Sequence, residues 1–279
     1  MQFGILMFPA DYAIDPVTLG RAVEERGFES LFFPEHTHIP ASRESPYPAG
    51  GDLPLEYSHT LDPFVALGAI AATTERIKLG TGIALIVERD PITLAKEVAT
   101  LDHISNGRVL LGVGGGWNRE EMRDHGTEPT TRWRLLRERI EAMQALWTQE
   151  EAEYHGELVD FGPTWQWPKP VQQPHPPILV GGDGVNTLQR VVRYGDEWMP
   201  IFGRSDALSR IPELQELAAE AGRDPIPVTS FGAPANAEAI DELAEAGVHR
   251  AILPVPPAGE EQVIAVLDRY ASFIEEYDG

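Results

Sequence analysis

Asn106-Gly107-Arg108-Val109-Leu110-Leu111-Gly112-Val113-Gly114-Gly115-Gly116-Trp117-Asn118 holds one full beat of this chain's organisation. A helical pattern over 91–104 closes on Gly107, where a residue without a Cβ ends a helix at little steric cost. A near-continuous apolar run over 109–112 follows, as a parallel strand covered on both faces requires. Glycines then lead into Asn118-Arg119-Glu120-Glu121, which reads as a helix start. So much glycine lets a flat ring or a phosphate come close to the backbone, and taken alone it fits a tight turn equally well.

The same beat recurs along the chain. Gly27 precedes an apolar run at 30–33, Gly195 one at 197–199 and Gly247 one at 250–253, each a helix-to-strand joint. The opposite joints are Asp15-Pro16, Asp62-Pro63 and Asp90-Pro91, where an N-cap acceptor stands before a proline suited to the first helical position. The pattern predicts strands over 2–8, 30–33, 77–85, 109–112, 178–180, 197–200, 227–231 and 250–254. Helices are predicted over 16–26, 63–73, 91–104, 132–147, 185–194, 207–221, 237–246 and 260–277. Strict alternation of eight and eight is an α/β fold of the (β/α)8, or TIM-barrel, type, read as a single domain over 1–279. An open doubly wound sheet is the alternative. Excursions at 34–60 and 150–177 break the rhythm. The first leaves the carboxyl end of a strand, where barrel enzymes build their sites, and the second reads as a hairpin on the opposite or lateral side.

Composition removes several function classes. With 44 acidic and 22 basic residues the net charge is −22, which repels nucleic acid and anionic membranes. There is no cysteine, hence no thiolate chemistry and no disulfide framework. No leader-like start and no apolar run of membrane-spanning length is visible, so a cytoplasmic location is expected.

Glu35-His36-Thr37-His38 follows the second strand, which puts His36 where a proton can be shuttled near neutral pH. His36 and His38 together also suggest a metal-dependent barrel hydrolase, but the other strand ends carry glycines, Ile201-Phe202 and prolines instead of ligands, so no metal site is expected. No Gly-x-Ser-x-Gly elbow supports a serine triad. The glycines after the fourth strand lack an acidic ribose-binding residue about 20 positions on, which argues against a dinucleotide fold. Gly181-Gly182-Asp183-Gly184 ends the fifth strand and opens a helix, a phosphate site by geometry or a plain turn. Gly80 and Gly82 inside the third strand suggest a bulge, a backbone held close to a ligand, or mere weakness. Trp133 and Trp147 read as packing residues and Asp102 as an anchor for the Gly107 joint.

Taken in order, Gly27-Phe28-Glu29-Ser30-Leu31-Phe32-Phe33-Pro34-Glu35-His36, Leu79-Gly80-Thr81-Gly82, Leu101-Asp102-His103-Ile104-Ser105-Asn106-Gly107-Arg108, the glycine run ending in Trp117, Pro177-Ile178-Leu179-Val180-Gly181-Gly182 and Gly195-Asp196-Glu197-Trp198 resemble the successive landmarks of bacterial luciferase-like monooxygenases, in particular their F420-dependent oxidoreductase branch. The likeness runs from the first strand through the sixth; the last third matches only in pattern. It implies a barrel whose rim binds the deazaflavin coenzyme F420 or, as the alternative, FMN. It places Glu35 and His36 by the ring as catalytic residues. Thr81, Gly82 and Ile83 would back the ring, with a cis peptide between Gly82 and Ile83. Gly112, Gly114, Gly116 and Trp117 would lie along the cofactor, and Gly181, Gly182 and Gly184 at its phosphate. The activity implied is hydride transfer to or from a small-molecule substrate, or its monooxygenation with FMN and a separate reductase. A homodimer is the family-based expectation. Trp117 stands where the sugar-phosphate dehydrogenases of this family have a glutamate, which argues against a sugar phosphate. A non-catalytic flavin-binding protein stays open.

Overall fold

The computed structural model describes residues 1–278. In chain order the elements are β1 (Gln2–Leu6), α1 (Pro16–Glu25), β2 (Ser30–Phe33), α2 (Glu56–His59), α3 (Pro63–Ala71), β3 (Lys78–Thr81), α4 (Pro91–Ser105), β4 (Val109–Val113), α5 (Arg119–Asp124), α6 (Arg132–Thr148), β5 (Ala152–His155) and β6 (Asp160–Thr164). They continue with β7 (Ile178–Gly181), α7 (Thr187–Tyr194), β8 (Glu197–Met199), α8 (Ile211–Glu220), β9 (Thr229–Phe231), α9 (Ala237–Glu245), β10 (Arg250–Pro254) and α10 (Glu260–Asp278). Single 3-10 turns at Ile86–Glu88 and Leu208–Arg210 complete the path.

Eight strands pair in parallel in the order β8-β7-β4-β3-β2-β1-β10-β9. Isolated parallel bridges, Trp198 to Val228 and Ile201 to Phe231, join the two ends, so the sheet is a nearly closed (β/α)8 barrel. The expected hairpin is β5 and β6, which covers α6 laterally; Glu138 on α6 accepts the amides of Leu158 (2.7 Å) and Val159 (3.1 Å) at its tip.

The joints form as their residues dictate. Asp15, Asp62 and Asp90 each cap a helix through a carboxylate oxygen, accepting amides at 2.8 to 3.1 Å. Gly27, Gly107 and Gly247 have φ near +80°, at 79, 81 and 78°. Gly195 does not: its φ is −95°, and a Cβ there would sit 2.6 Å from Val180 Cγ2, so close packing of the α7 end on β7 requires the glycine.

Two kinds of core result. Between strands and helices lies the large outer core. Inside the barrel Phe32, Leu110, Leu179, Met199 and Ile252 form a separate plug, with Leu6, Ile83 and Phe231 against it.

Several expected boundaries move. The third strand ends at Thr81 and not at 85, because the Leu85 amide bonds the Glu35 carboxylate (2.6 Å) instead of a neighbouring strand. The helix expected from 185 starts at Thr187, and the one expected over 207–221 begins as a 3-10 turn. The first strand is 2–6, the sixth 197–199 and the seventh 229–231, each shorter than its apolar run. The first excursion also holds the short helix α2, and the helix start read at 118–121 becomes the short helix α5.

At the amino-terminal end of the barrel Arg250 is 1% exposed. Its guanidinium donates to Glu29 (2.8 and 3.0 Å), Glu197 (2.9 Å), Thr229 (2.9 Å) and Gln2 (3.3 Å), joining β10 to β8, β9, β1 and the entry of β2. Burial pulls the Glu29 carboxyl up, but the Arg250 guanidinium outweighs it and holds the group down at about 2. Replacing Arg250 by Met leaves Glu197 without its cation and Glu29 with Lys78 alone. The variant is expected to lose about 3 to 5 kcal/mol in urea unfolding, and a loss under about 1 kcal/mol would show that the ion cluster does not help close the barrel.

Candidate active site

The carboxyl ends of β2, β3, β4 and β7 meet at the mouth. His36 leaves β2 and is buried, its ring held by α5. Asn118 caps that helix, and Glu121, at the position that often folds back onto its own cap, reaches instead across to the β2 loop. Glu121 Oε2 lies 2.7 Å from His36 Nδ1, and Oε1 accepts the Thr37 amide at 3.0 Å. A carboxylate only accepts, so Nδ1 carries a proton and Nε2 is left to exchange one. Tyr57 (5.2 Å between ring centres) and Trp117 (5.6 Å) flank the imidazole. Burial, then the Tyr47 hydroxyl, pushes the Tyr57 phenol well above its ordinary range. His38 diverges: its nitrogens face Thr37 Oγ1 (3.0 Å) and Asp124 (3.0 Å) at the surface. Among the described residues no group of three or more His, Asp or Glu is arranged to hold a metal ion.

Glu35 is 3% exposed, and both its oxygens are engaged in the wall, one by the Leu85 amide and the other by Arg89 Nε at 2.7 Å. Arg89 also binds Asp62 and Glu97, so this carboxylate secures the whole segment after β3. That segment begins with a cis peptide between Gly82 and Ile83, as the resemblance implied.

Ile83 explains two of the glycines. A Cβ on Gly114 would lie 2.1 Å from Ile83 Cδ1, and one on Gly181 3.0 Å from Ile83 Cγ2. The side chain therefore reaches across the barrel from β3 to β7, and only glycine leaves it room. Thr81, buried, donates to the Gly112 carbonyl at 2.8 Å, which places both in the wall beneath the mouth. Gly82 abuts the Phe231 ring, and Gly116 sits against Met122 and Leu85.

Gly182 is less open than a free anion cradle would be: its amide bonds Met199 O (3.3 Å) and its carbonyl accepts Trp198 Nε1 (2.7 Å). The amides of Asp183 and Gly184, and those of Gly115, Gly116 and Trp117, donate to nothing among the described residues. Against Gly115 lies Trp133, whose ring meets Arg190 (3.9 Å from guanidinium carbon to ring centre) and Arg132 (5.1 Å). Neither arginine has an ion pair among the described residues, and Arg132 Nε is buried without a partner. Burial and then the neighbouring positive charge, Arg119 for Arg132 and Arg132 for Arg190, lower the proton affinity of both.

Beneath Gly116 lies Glu88, 8% exposed, with Oε2 unbonded and 4.0 Å from His125 Nε2. Burial first, then the charges of Glu121 and Glu35, push its carboxyl up to about 9.

Sequence reading passed over Glu121, Tyr57, Glu88, Arg132 and Arg190. Asn118 three residues before Glu121 gave a signal, since a capping carboxylate at that spacing is free to serve another donor. The two arginines gave none, because their lack of acidic partners is a fact of three dimensions.

The sequence profile described as luciferase-like monooxygenase matches residues 3–277. An uncharacterized protein of Mycobacterium tuberculosis is 45% identical over 277 residues, covering 98% of each chain. The FMNH(2)-dependent dimethylsulfone monooxygenase of Pseudomonas putida is 37% identical over 142 residues, 49% of this chain and 38% of that one. Among solved structures, an F420-dependent secondary alcohol dehydrogenase in complex with an F420-acetone adduct superposes with a TM-score of 0.76 at 18% identity, covering 98% of both chains.

Glu88 generates a signed expectation. Its folded-state affinity for the proton is raised, so from about pH 5 to pH 9 the folded protein holds a proton that the unfolded chain releases, and stability declines as pH rises. Glu88→Gln removes that slope. The melting temperature of the variant minus that of the wild type should grow between acidic and alkaline buffer; a constant difference would mean that Glu88 is ionised when folded.

Proposed function

The chain belongs to the luciferase-like monooxygenase family, and from that premise we propose that it is an oxidoreductase that binds coenzyme F420 at the barrel mouth and acts on a small organic substrate. The observation that carries this is the His36–Glu121 pair set beside the Ile83 floor, with unneutralised arginines farther along the same rim.

The residues fit the cofactor's chemistry. Ile83, with Gly82 and Gly114, offers a smooth apolar floor for a flat ring, while Thr81 and Gly112 hold that floor from below. Arg132 and Arg190, with the free amides near Gly116, Trp117 and Gly184, suit an anionic side arm; the buried Arg132 Nε lacks the acceptor such an arm would bring. Gly181 and Gly182 shape that end. When bound, the deazaflavin supplies or accepts a hydride. His36 gives or takes the accompanying proton at Nε2, and Glu121 fixes the orientation of the ring. Glu35, through Arg89 and Leu85, is a positioning residue for the floor. Tyr57 and Trp117 keep water from the imidazole.

FMN is the second reading, favoured by the FMNH(2)-dependent relative that matches half of the chain. A separate reductase would then supply reduced flavin.

Titration with F420 and with FMN, followed by quenching of cofactor fluorescence, decides between them: F420 should bind in the micromolar range and FMN far more weakly, and the reverse would move the reading to a monooxygenase. Arg132→Ala should weaken cofactor binding by about tenfold or more, the loss of a charge-assisted bond. His36→Ala should lower turnover by roughly a hundredfold while cofactor affinity stays within a few-fold. Unchanged turnover would remove His36 from the chemistry.

A further inference from the structure

We propose that Arg43 binds the carboxylate of a flat, ring-bearing substrate, so that this protein acts on aromatic or similarly planar acids. The inference rests on the mouth being the substrate site.

The loop after β2 is fastened on either side of Arg43. The Arg43 amide donates to Pro40 O at 3.3 Å. Two residues on, Ser45 is buried: its amide donates to Glu120 Oε1 at 2.6 Å, its hydroxyl to Glu120 Oε2, and its oxygen accepts the Arg119 amide at 3.1 Å. Between these ties Arg43 has φ of 51°, in the left-handed region that is strained for a residue with a Cβ. Glycine or asparagine would take that turn more readily. The backbone thus accepts strain at the one residue whose guanidinium is laid on Trp117, 5.8 Å from the ring centre.

That guanidinium lacks a partner. Nη1 is shielded from solvent without a hydrogen bond, and among the described residues no carboxylate pairs with Arg43, in a chain whose acids outnumber its bases two to one. A donor shut off from solvent with no acceptor is costly to leave unpaired, so the site lacks an anion that it is built to receive.

The surroundings select the anion. Trp117, Tyr47 and Tyr57 pack edge to face into one aromatic wall, with ring centres 5.3 to 6.4 Å apart and the two tyrosine hydroxyls 3.3 Å from each other. Arg43 meets this wall at Trp117, as His36 does at 5.6 Å. A carboxylate is planar, matches the guanidinium fork and stays coplanar with a ring that bears it, so a flat acid lies along the wall with its carboxylate at Arg43 and its reacting carbon toward His36. A tetrahedral phosphate would not lie flat in this way, and the free amides near Arg132 offer it a better place.

The test uses benzoate and its neutral isostere benzamide, titrated calorimetrically into the wild type and into Arg43→Gly and Arg43→Lys, with and without bound cofactor. Glycine suits the positive φ, so Arg43→Gly should melt no lower than the wild type. Benzoate should bind the wild type about tenfold more tightly than benzamide. Arg43→Gly should erase that preference without changing benzamide binding, and Arg43→Lys, which keeps the charge but not the fork, should restore part of it. Equal binding of the two probes, a preference that survives Arg43→Gly, or no binding of either at millimolar concentration overturns the proposal. Cofactor affinity, unchanged in Arg43→Gly, is read separately. Arg43-dependent benzoate binding without F420 or FMN binding sinks the cofactor reading alone, and the converse sinks this inference alone.

Discussion

The guanidinium of Arg250 is the interaction on which the barrel's geometry leans. Direct pairing between β8 and β9 is reduced to two isolated bridges with a few backbone hydrogen bonds, such as Trp198 N to Pro227 O (3.0 Å) and Phe231 N to Pro200 O (2.9 Å), so the seam has no continuous ladder. Arg250 spans it, bonding Glu197 on β8 and Thr229 on β9 while holding Glu29 at the foot of β2. A charge so placed is useful because its partners surround it; in an apolar setting the same group would oppose folding. With the amino-terminal end closed by this cluster and the interior filled by side chains, the opposite end is free to carry irregular backbone.

That irregular backbone is organised by a second, more delicate balance. Three carboxylates, Glu35, Glu88 and Glu121, lie close enough beneath the mouth to feel one another's charge. Glu35 has Arg89 and the Leu85 amide, and Glu121 has His36 and the Thr37 amide. Glu88 has neither and keeps its proton. The arrangement separates a structural carboxylate, a carboxylate that orients an imidazole and a neutral acid within a few side chains. Above them Ile83 occupies the space that Gly114 and Gly181 leave open, so a side chain from β3 dictates residue choice on β4 and β7.

Much of this was legible in the chain. The Asp-Pro caps and glycine joints mark element ends by local chemistry, and the alternation they produce admits few topologies besides a barrel. The glycine runs pointed to the mouth but not to their cause: Gly114 and Gly181 make room for Ile83, which no local pattern reveals. Gly195 marks a helix-to-strand joint as its sequence context reads, but through close packing on Val180 instead of a positive φ. The third strand is shorter than its apolar run, which continues to Leu85, whose amide Glu35 captures. His36 was legible from its place after a strand; Glu121, 85 positions away, was not, and the same holds for every pairing that depends on which loops face each other.

The arginines of the rim sit on a molecule of net charge −22. An anionic ligand approaching from solvent first meets the field of the whole protein, which repels it, and feels Arg132, Arg190 or Arg43 only within about a Debye length, roughly 8 Å in physiological salt. Added salt therefore acts twice, hastening arrival by screening the distant repulsion and hastening departure by weakening the contacts. An equilibrium constant would register only the small remainder of two large and opposed changes, while the residence time of the ligand would fall steadily with ionic strength.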